Sequence, residues 1–187
     1  MKVSKTWHPE PIYVDKNDPI LKKTISTRWV FNIKGDGSYK ARLVARGDMQ
    51  SDSTYNETYS PIMRAEIAWT ILAQNASSKW YFKQFDFITA YPNSFLDTDI
   101  YIYPPQGYAK NHKKYENKRV VYKLNRGLYG LKQAGRLWHA EISKTLKSLG
   151  YEKNDIFPST FVKKENSKVY SFGFALPGVE ICQRSRW

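Results

Sequence analysis

Hydrophobic and polar residues alternate in two neighbouring stretches near the start of the chain. In the first stretch, Trp29, Phe31 and Ile33 are separated by polar or smaller residues, and residues 39–46 alternate in the same way. The five residues between them, Lys-Gly-Asp-Gly-Ser at 34–38, have the composition of a turn. Because successive side chains of a strand face opposite sides, this pattern predicts a β-hairpin.

The second strand of this hairpin is predicted to carry a basic face. The residues on one side are Lys40, Arg42, Val44 and Arg46, and those on the other side are Ala41, Leu43 and Ala45. Three of the four residues on the first side are cations. A flat face of this kind suits a polyphosphate or a nucleic-acid backbone.

Two stretches have apolar residues at helical spacing. Residues 64–75 form the first predicted helix, with Ala65, Ala68, Ile71 and Leu72 on one face. Residues 134–149 form the second, which carries a long apolar stripe and is followed by Gly150 in the position that ends a helix.

The remaining elements are strands and loops. Residues 80–88 and 97–103 are predicted strands, the latter closed by two prolines, and a basic loop follows. Residues 160–164 and 168–174 are predicted to form a second hairpin, whereas the proline-containing residues 1–24 are predicted to be irregular. This order indicates an α+β fold with helices packed on one face of a largely antiparallel sheet. A glycine-rich phosphate loop of the mononucleotide or dinucleotide type does not occur in the sequence.

The composition of the 187 residues favours a phosphate-rich partner. Thirty Lys and Arg against seventeen Asp and Glu give a formal net charge of +13, although a solvated basic surface is the alternative. The sequence contains no apolar run long enough for a membrane span and no apolar signal core, so an intracellular location is expected, in the cytoplasm by default or in the nucleus. The single Cys182 and the dispersed His8, His112 and His139 do not have the spacing of a metal cluster.

Asp86 is the one carboxylate within a run of mostly aromatic and aliphatic residues, Gln-Phe-Asp-Phe-Ile-Thr-Ala-Tyr at 84–91. An isolated ionised carboxylate is costly to bury, so it shifts its pKa, accepts several hydrogen bonds or binds a metal ion. From its position alone, Asp86 is as well explained as a turn or cap residue as it is by the role of a metal ligand. The cations of the hairpin favour a metal ion, because carboxylates and a divalent cation together align a triphosphate. Asp97 and Asp99, the nearest acids in sequence, are predicted to face solvent.

Six short blocks follow one another along the chain: Arg-Trp-Val-Phe at 28–31, Tyr-Lys-Ala-Arg-Leu-Val-Ala-Arg-Gly at 39–47, Tyr-Ser-Pro at 59–61, Gln-Phe-Asp with Ala-Tyr at 84–91, Ile-Tyr with Pro-Pro-Gln-Gly-Tyr at 100–108, and Leu-Tyr-Gly-Leu-Lys-Gln-Ala at 128–134. Taken together, they resemble the reverse transcriptase of copia-type (Ty1-like) LTR retrotransposons. The resemblance runs from about Trp29 to Val162, and the order of several spaced blocks makes it specific.

The resemblance implies a metal site at Asp86. This residue matches the first metal-binding aspartate of the palm, and the backbone carbonyl of Phe87 would be the accompanying ligand of Mg²⁺. The same resemblance implies polymerisation of DNA on an RNA template as the family's reaction.

Four further residues are implied to bind the nucleotide. Lys40 and Arg42 match the fingers cations that hold the incoming deoxynucleoside triphosphate. Tyr91 matches the aromatic residue that stacks under the sugar and excludes a 2′-hydroxyl, with an ordinary core tyrosine as the alternative. In the block at 128–134, which resembles an element that contacts template and nucleotide, Gln133 is the expected polar contact.

The sequence departs from the family where a second acidic motif is expected. The family carries Tyr-x-Asp-Asp on a strand after the region of Phe161, whereas residues 169–178 here read Val-Tyr-Ser-Phe-Gly-Phe-Ala-Leu-Pro-Gly. We therefore expect a truncated, pseudogene-like reverse transcriptase whose reading frame slips near Tyr170, without catalytic activity and with weak or absent Mg²⁺ binding. The Pro-Gly pair at 177–178 is expected to interrupt the hairpin and to leave the strand of Asp86 with an uncovered edge, giving a poorly soluble or partly ordered product.

The sequence thus divides into an irregular leader at 1–25, partial reverse-transcriptase fingers and palm at 26–174, and a non-family tail at 175–187. Two functions stay open: an inactive fragment of an RNA-directed DNA polymerase, and a non-enzymatic basic fragment that binds RNA or DNA. The expected partners are an RNA and DNA template-primer and deoxynucleoside triphosphates, together with intact copies of the retrotransposon polyprotein. No membrane partner is expected.

Overall fold

The computed structural model describes residues 6–78, 81–108, 117–166, 168–176 and 179–184. The elements in these ranges are β1 (Ile12–Val14), β2 (Thr24–Ile25), β3 (Thr27–Ile33), β4 (Tyr39–Ala45), α1 (Ala65–Ser78), β5 (Tyr81–Asp86), β6 (Tyr101–Ile102), β7 (Arg119–Lys123), α2 (Ala134–Ser148), β8 (Glu152–Lys153), β9 (Thr160–Glu165), β10 (Lys168–Leu176) and β11 (Val179–Arg184). Most strand pairs are antiparallel, which confirms the predicted α+β class. The one parallel pair in the described part of the chain joins β2 to β6.

The chain divides into two compact units. The first comprises Met1–Thr58 and Tyr91–Leu137, and the second comprises Tyr59–Ala90 and Trp138–Trp187. In the first unit, four strands form a sheet in the order β1-β7-β6-β2, and β3 and β4 form a separate hairpin. Its core is a cluster of buried side chains from these sheets and from the block at 128–134: Ile25, Ala45, Ile100, Ile102, Tyr122, Leu124, Leu128, Leu131 and Ala134.

The second unit is built on a five-stranded antiparallel sheet in the order β5-β11-β10-β9-β8. Phe161 and Phe172 of this sheet are buried, and so are Ile142 and Leu146 of α2. Gly173 lies so close to Met63 that a Cβ atom at position 173 would be 2.8 Å from the Met63 sulfur atom. Apolar burial on this scale is the main stabilising contribution to such a unit.

The elements predicted from local periodicity are confirmed. The hairpin β3–β4 pairs Thr27 with Ala45 through Ile33 with Tyr39, and Asp36 Oδ1 accepts a hydrogen bond from the Ser38 N–H at 2.9 Å inside the turn. Helix α2 ends one residue before the predicted end, with Gly150 at φ +84°. The second predicted hairpin is observed as β9 and β10.

Three other predictions of local structure were wrong. Residues 12–25 are not irregular, because β1 pairs with β7 and β2 pairs with β6. The strand predicted over 97–103 is limited to β6, and the predicted basic loop contains β7. These strands are two to five residues long, so a distant partner rather than local periodicity determines them. Trp80 and residues 109–116 lie outside the described residues.

The expectation of an uncovered edge beside Asp86 was also wrong. Strands β10 and β11 form a hairpin, and β11 pairs with β5 from Tyr81 to Asp86. The Pro-Gly pair at 177–178 lies outside the described residues. The edge of β5 that faces β11 is therefore paired.

Within the part of the chain that the structure describes, neither helix combines the length and the apolarity that a membrane crossing requires.

Candidate functional site

Asp86 is the last residue of β5, and its side chain is exposed to solvent. The expectation that it is buried among aromatic residues was therefore wrong. Strand β5 is the first strand in the order of its five-stranded sheet and pairs with β11. Ile88, two residues on, is 86% exposed.

The strand neighbour of Asp86 is not an acidic residue. The Cα partner of Asp86 in the neighbouring strand is Val179. Phe87 packs edge-on against Trp138, with ring centroids 5.0 Å apart, and Thr89 adopts φ 57° in the turn that follows. Among the described residues, no group of three His, Cys, Asp or Glu side chains is close enough to hold a metal ion.

Lys40 and Arg42 lie on β4 of the first unit, as predicted from the alternation. Lys40 is half-buried and pairs across the hairpin with Asn32, and Arg42 is exposed and pairs with Val30. Neither cation forms an ion pair with a carboxylate in the described part of the chain. Both charges are therefore available to an anionic ligand.

Tyr91, also in the first unit, is partly buried and packs on the main core cluster. Its ring contacts that of Tyr129 at a centroid distance of 4.8 Å, and the backbone carbonyl of Tyr129 accepts a hydrogen bond from the Ala45 N–H at 2.7 Å. Burial raises the pKa of Tyr91, and the neighbouring Tyr129 adds to this effect. Tyr129 thus connects Tyr91 to the end of β4. Measured along β4 from Ala45 at about 3.3 Å per residue, Arg42 is about 10 Å away and Lys40 is about 17 Å away.

Gln133 does not face a ligand. Its side chain is 0% exposed, its Nε2 donates to the Thr54 carbonyl at 3.0 Å, and its Oε1 accepts from Gln50 Nε2 at 2.8 Å. The predicted direct contact with nucleotide is not supported by this burial. The two amides instead join the loop at 46–55 to the block at 128–134, since each buried amide requires partners.

Lys132 extends this connection to the surface. Its backbone N–H donates to Gln50 Oε1 at 3.1 Å, and its Nζ donates to Tyr55 Oη at 2.9 Å and lies 3.8 Å from Asp52 Oδ1. The hydrogen bond with Tyr55 raises the pKa of Lys132. Gln50 and Lys132 could not be recognised as partners from the sequence, because their contacts join positions about 80 residues apart in the chain.

Two glycines allow the same two segments to touch. A Cβ atom at Gly47 would overlap the carbonyl oxygen of Gly130, and one at Gly130 would overlap that of Ala45. Gly130 also has φ +89°, a conformation that disfavours other residues. Gly47 is the last residue of the sequence block at 39–47, and Gly130 lies inside the block at 128–134. The presence of a glycine in each block was the only sequence signal for this contact.

The six predicted site residues therefore fall in two units. Lys40, Arg42, Tyr91 and Gln133 belong to the first, and Asp86 and Phe87 belong to the second. Within the first unit the structure brings Tyr91 and the end of β4 to a common neighbour, Tyr129.

Comparison with known proteins identifies the class. A family model described as "Reverse transcriptase (RNA-dependent DNA polymerase)" matches residues 12–173. The chain belongs to this family. The match begins at the first residue of β1, which agrees with the finding that this segment is folded.

Its relatives are retrotransposon polyproteins. The chain is 35% identical over 152 residues to the retrovirus-related Pol polyprotein from transposon TNT 1-94 of Nicotiana tabacum, covering 78% of this chain and 11% of that protein. It is 34% identical over 167 residues to the transposon Ty1-MR1 Gag-Pol polyprotein of Saccharomyces cerevisiae, covering 88% and 9%. The Ty1-LR2 Gag-Pol polyprotein of the same yeast is 34% identical over 151 residues, covering 80% and 8%.

The resemblance to copia-type reverse transcriptases is thereby confirmed. The chain spans about a tenth of the length of these curated relatives. No solved structure matches it.

Proposed function

We propose that this reverse transcriptase domain binds RNA and DNA through phosphate contacts and does not polymerise DNA by itself. The carrying observation is the isolation of Asp86. Its strand partner is Val179, and residues 169–178, where the family's paired aspartates are expected, contain no aspartate. The family match ends at residue 173, inside this stretch.

The donor set does not fit the divalent metal ions that the family uses. Two-metal phosphoryl-transfer sites hold ions about 3.5–4 Å apart, which requires carboxylates that face each other across a few ångströms. Asp86 is an exposed carboxylate on an end strand of its sheet, and the described residues contain no group of three His, Cys, Asp or Glu side chains that could hold a metal ion. We infer that Mg²⁺ binds weakly or not at all, and no catalytic step is assigned to Asp86 or to the Phe87 carbonyl.

The expected energetic consequence is large. Metal ions stabilise the transferring phosphoryl group by several kcal/mol, and about 1.4 kcal/mol corresponds to a factor of ten in rate. Loss of most of the metal ligands should therefore lower the rate by at least several powers of ten.

Nucleic-acid binding follows from the charge distribution. The chain has a net charge of +13, and twelve Lys and Arg against three Glu lie between positions 110 and 153. Lys40 and Arg42 add two cations on one strand without carboxylate partners among the described residues. Phosphate contacts of this kind release counterions and bind without sequence preference. The RNA and DNA strands of a template-primer fit this surface, and a deoxynucleoside triphosphate fits Lys40 and Arg42.

The site of action follows from the proposed ligands. RNA and its DNA copies lie inside the cell, so we place the domain in the cytoplasm or the nucleus. Association with intact copies of the related polyprotein belongs to the same proposal, since the relatives are polyproteins that contain a matching region.

Primer extension on a homopolymer RNA template tests the absence of catalysis. The wild-type protein and Asp86→Ala are assayed with Mg²⁺ and with Mn²⁺, and we expect no incorporation by either. Measurable incorporation by the wild-type protein that Asp86→Ala abolishes would refute the proposal.

Filter binding at several salt concentrations tests the phosphate contacts. Affinity for a single-stranded RNA should fall steeply with salt, and Lys40→Ala and Arg42→Ala should each reduce the slope of log K against log salt by about 0.7. Arg46→Ala is the matched control, because Arg46 is already paired with Asp48 at 2.7 Å. Salt-independent binding, or equal effects of all three variants, would contradict the role of Lys40 and Arg42.

A further inference from the structure

A groove on the first unit lies beside the end of β7, and neither Lys40 nor Arg42 lines it. Its volume is about 1020 Å³, and aromatic residues Trp7, Phe95 and Tyr108 line it together with Lys123 and Arg126. This volume is at the upper end of the roughly 300–1,000 Å³ typical of small-molecule sites. The groove is therefore large enough for a nucleotide.

Backbone pairing fixes the aromatic residues of the groove. Trp7 forms a β-bridge with Leu124, and Phe95 forms one with Arg126. The Trp7 ring also packs edge-on against Tyr108 at 5.8 Å. Phe95 is nevertheless 60% exposed, so a large part of its ring is open to a ligand.

The charges of the groove are unevenly neutralised. Asp99 accepts a hydrogen bond from Lys123 Nζ at 2.7 Å, and Asp97 pairs with Arg136. The Arg126 guanidinium lies 3.7 Å from the centroid of the Phe95 ring. Its described hydrogen bond is a weak one from Nη1 to the Asn93 carbonyl at 3.3 Å, and the described residues give it no carboxylate partner. Arg126 is thus a cation that lies over an exposed aromatic ring.

We propose that this groove binds one unpaired nucleotide of a single-stranded RNA or DNA, with its phosphate on Arg126 and its base stacked on the aromatic residues. An arginine offers several N–H donors in one plane to a phosphate. Aromatic rings next to a cation form the platforms on which proteins stack single-stranded bases, and every base has a face that can stack.

This inference rests on the proposed nucleic-acid binding and adds a preference for unpaired strands. Phosphate contacts alone bind duplex and single strand through the same charges. A base in a duplex is already stacked on its neighbours, so only an unpaired base is free to stack on Phe95. An aromatic, acidic peptide has similar chemistry, but the net charge of the chain favours the nucleic acid.

The test compares binding of a 12-nucleotide single strand with that of a duplex of the same length, in separate RNA and DNA arms at one salt concentration. We expect Phe95→Ala and Arg126→Ala to weaken single-strand binding roughly tenfold or more, and duplex binding less than twofold. A loss of single-strand binding in either the RNA arm or the DNA arm supports the proposal. Phe95→Leu retains apolar bulk without an aromatic face and should show the same loss, which covers the case that Phe95→Ala does not fold.

Two matched controls isolate the groove. Arg46→Ala removes one charge from the same unit at an arginine paired with Asp48, and Trp69→Ala removes an exposed aromatic residue from the second unit. Both should leave the preference for single strands unchanged.

The outcomes separate the two proposals. A wild-type protein that binds duplex and single strand with steep salt dependence, and is unaffected by Phe95→Leu and Arg126→Ala, would overturn the groove and leave the proposed function standing. If Phe95→Leu and Arg126→Ala weaken the binding of duplex and of single strand equally, the proposal for the groove is also overturned. The same holds if the groove binds an acidic aromatic peptide rather than RNA or DNA. A wild-type protein that binds neither nucleic acid would overturn the proposed function itself.

Discussion

At the scale of single residues, Gln133 shows how a polar residue in a block that was expected to contact nucleotide can instead have a supporting function. Its amide is buried and satisfied by Gln50 and Thr54. This pairing explains why position 133 is a glutamine, because a side-chain amide can donate one hydrogen bond and accept another. Any influence of Gln133 on ligand binding is therefore expected to act through the loop at 46–55.

Replacement of Gln133 by alanine should lower the free energy of unfolding by about 2 kcal/mol or more, since the buried Gln50 amide loses its partner and a cavity forms. Urea unfolding followed by circular dichroism measures this change. Gln74→Ala is the control, because Gln74 is exposed on α1 and should change stability by less than about 0.5 kcal/mol. Weaker triphosphate binding with unchanged stability would instead favour a direct contact of Gln133 with nucleotide.

Gly130→Ala should destabilise the protein by at least about 2 kcal/mol. The new Cβ would overlap the Ala45 carbonyl, and φ +89° is unfavourable for alanine. Gly35→Ala is a matched control, since Gly35 has open space around its Cβ position. Thermal unfolding of both variants is the measurement, and equal melting temperatures would show that the two segments do not pack as described.

At the scale of elements, predictability follows the range of the determining contacts. The hairpin β3–β4 and helix α2 were predicted because their side-chain periodicity, turn residues and terminal glycine are local signals. Strands β1 and β7 were missed because each is short and pairs with a partner far away in the chain. Strand β11 was missed because the Pro-Gly pair at 177–178 was expected to interrupt the hairpin. Asp86 was assigned correctly to the end of a strand, but local sequence does not tell an outer strand from a central one, so its exposure was missed.

Helix α2 carries a histidine that should make stability depend on pH. Burial lowers the pKa of His139, and the charge of Lys153 adds to this effect. The folded state therefore disfavours the protonated ring relative to the unfolded state, whose pKa is near 6.5. Stability is retained above about pH 6.5 and is lost as pH falls from there towards the lowered folded pKa, because the unfolded chain binds the additional proton in that window.

Urea unfolding at pH 7.5 and at pH 5 measures this effect. The wild-type protein should be less stable at pH 5, and His139→Gln should reduce the difference. An identical pH dependence in His139→Gln and the wild-type protein would assign the loss to other groups.

At the scale of the whole molecule, the chain matches its family up to residue 173 but lacks the family's second acidic motif in the same region. Residues 12–173 match the reverse transcriptase family, and β10 continues past residue 173 to Leu176, with a shift in its pairing register to β11 between Phe174 and Leu176. The backbone hairpin is therefore retained, although the sequence it carries lacks the expected aspartates. A sheet can keep its pairing after such a change, because ladder hydrogen bonds come from the backbone and are largely independent of side-chain identity.

We propose that the reading frame slips near Tyr170, because a slip replaces all following residues at once without removing the preceding ones. We expect the coding DNA after this codon to encode a Tyr-x-Asp-Asp sequence in one of the other two frames. Sequencing of the genomic copy and of its transcript measures this directly, and the transcript shows whether the shift is also present in the RNA. If neither alternative frame contains the aspartate pair, single substitutions rather than a slip must account for the loss. If a protein with the restored frame still fails to extend a primer, the missing aspartates are not the cause of inactivity.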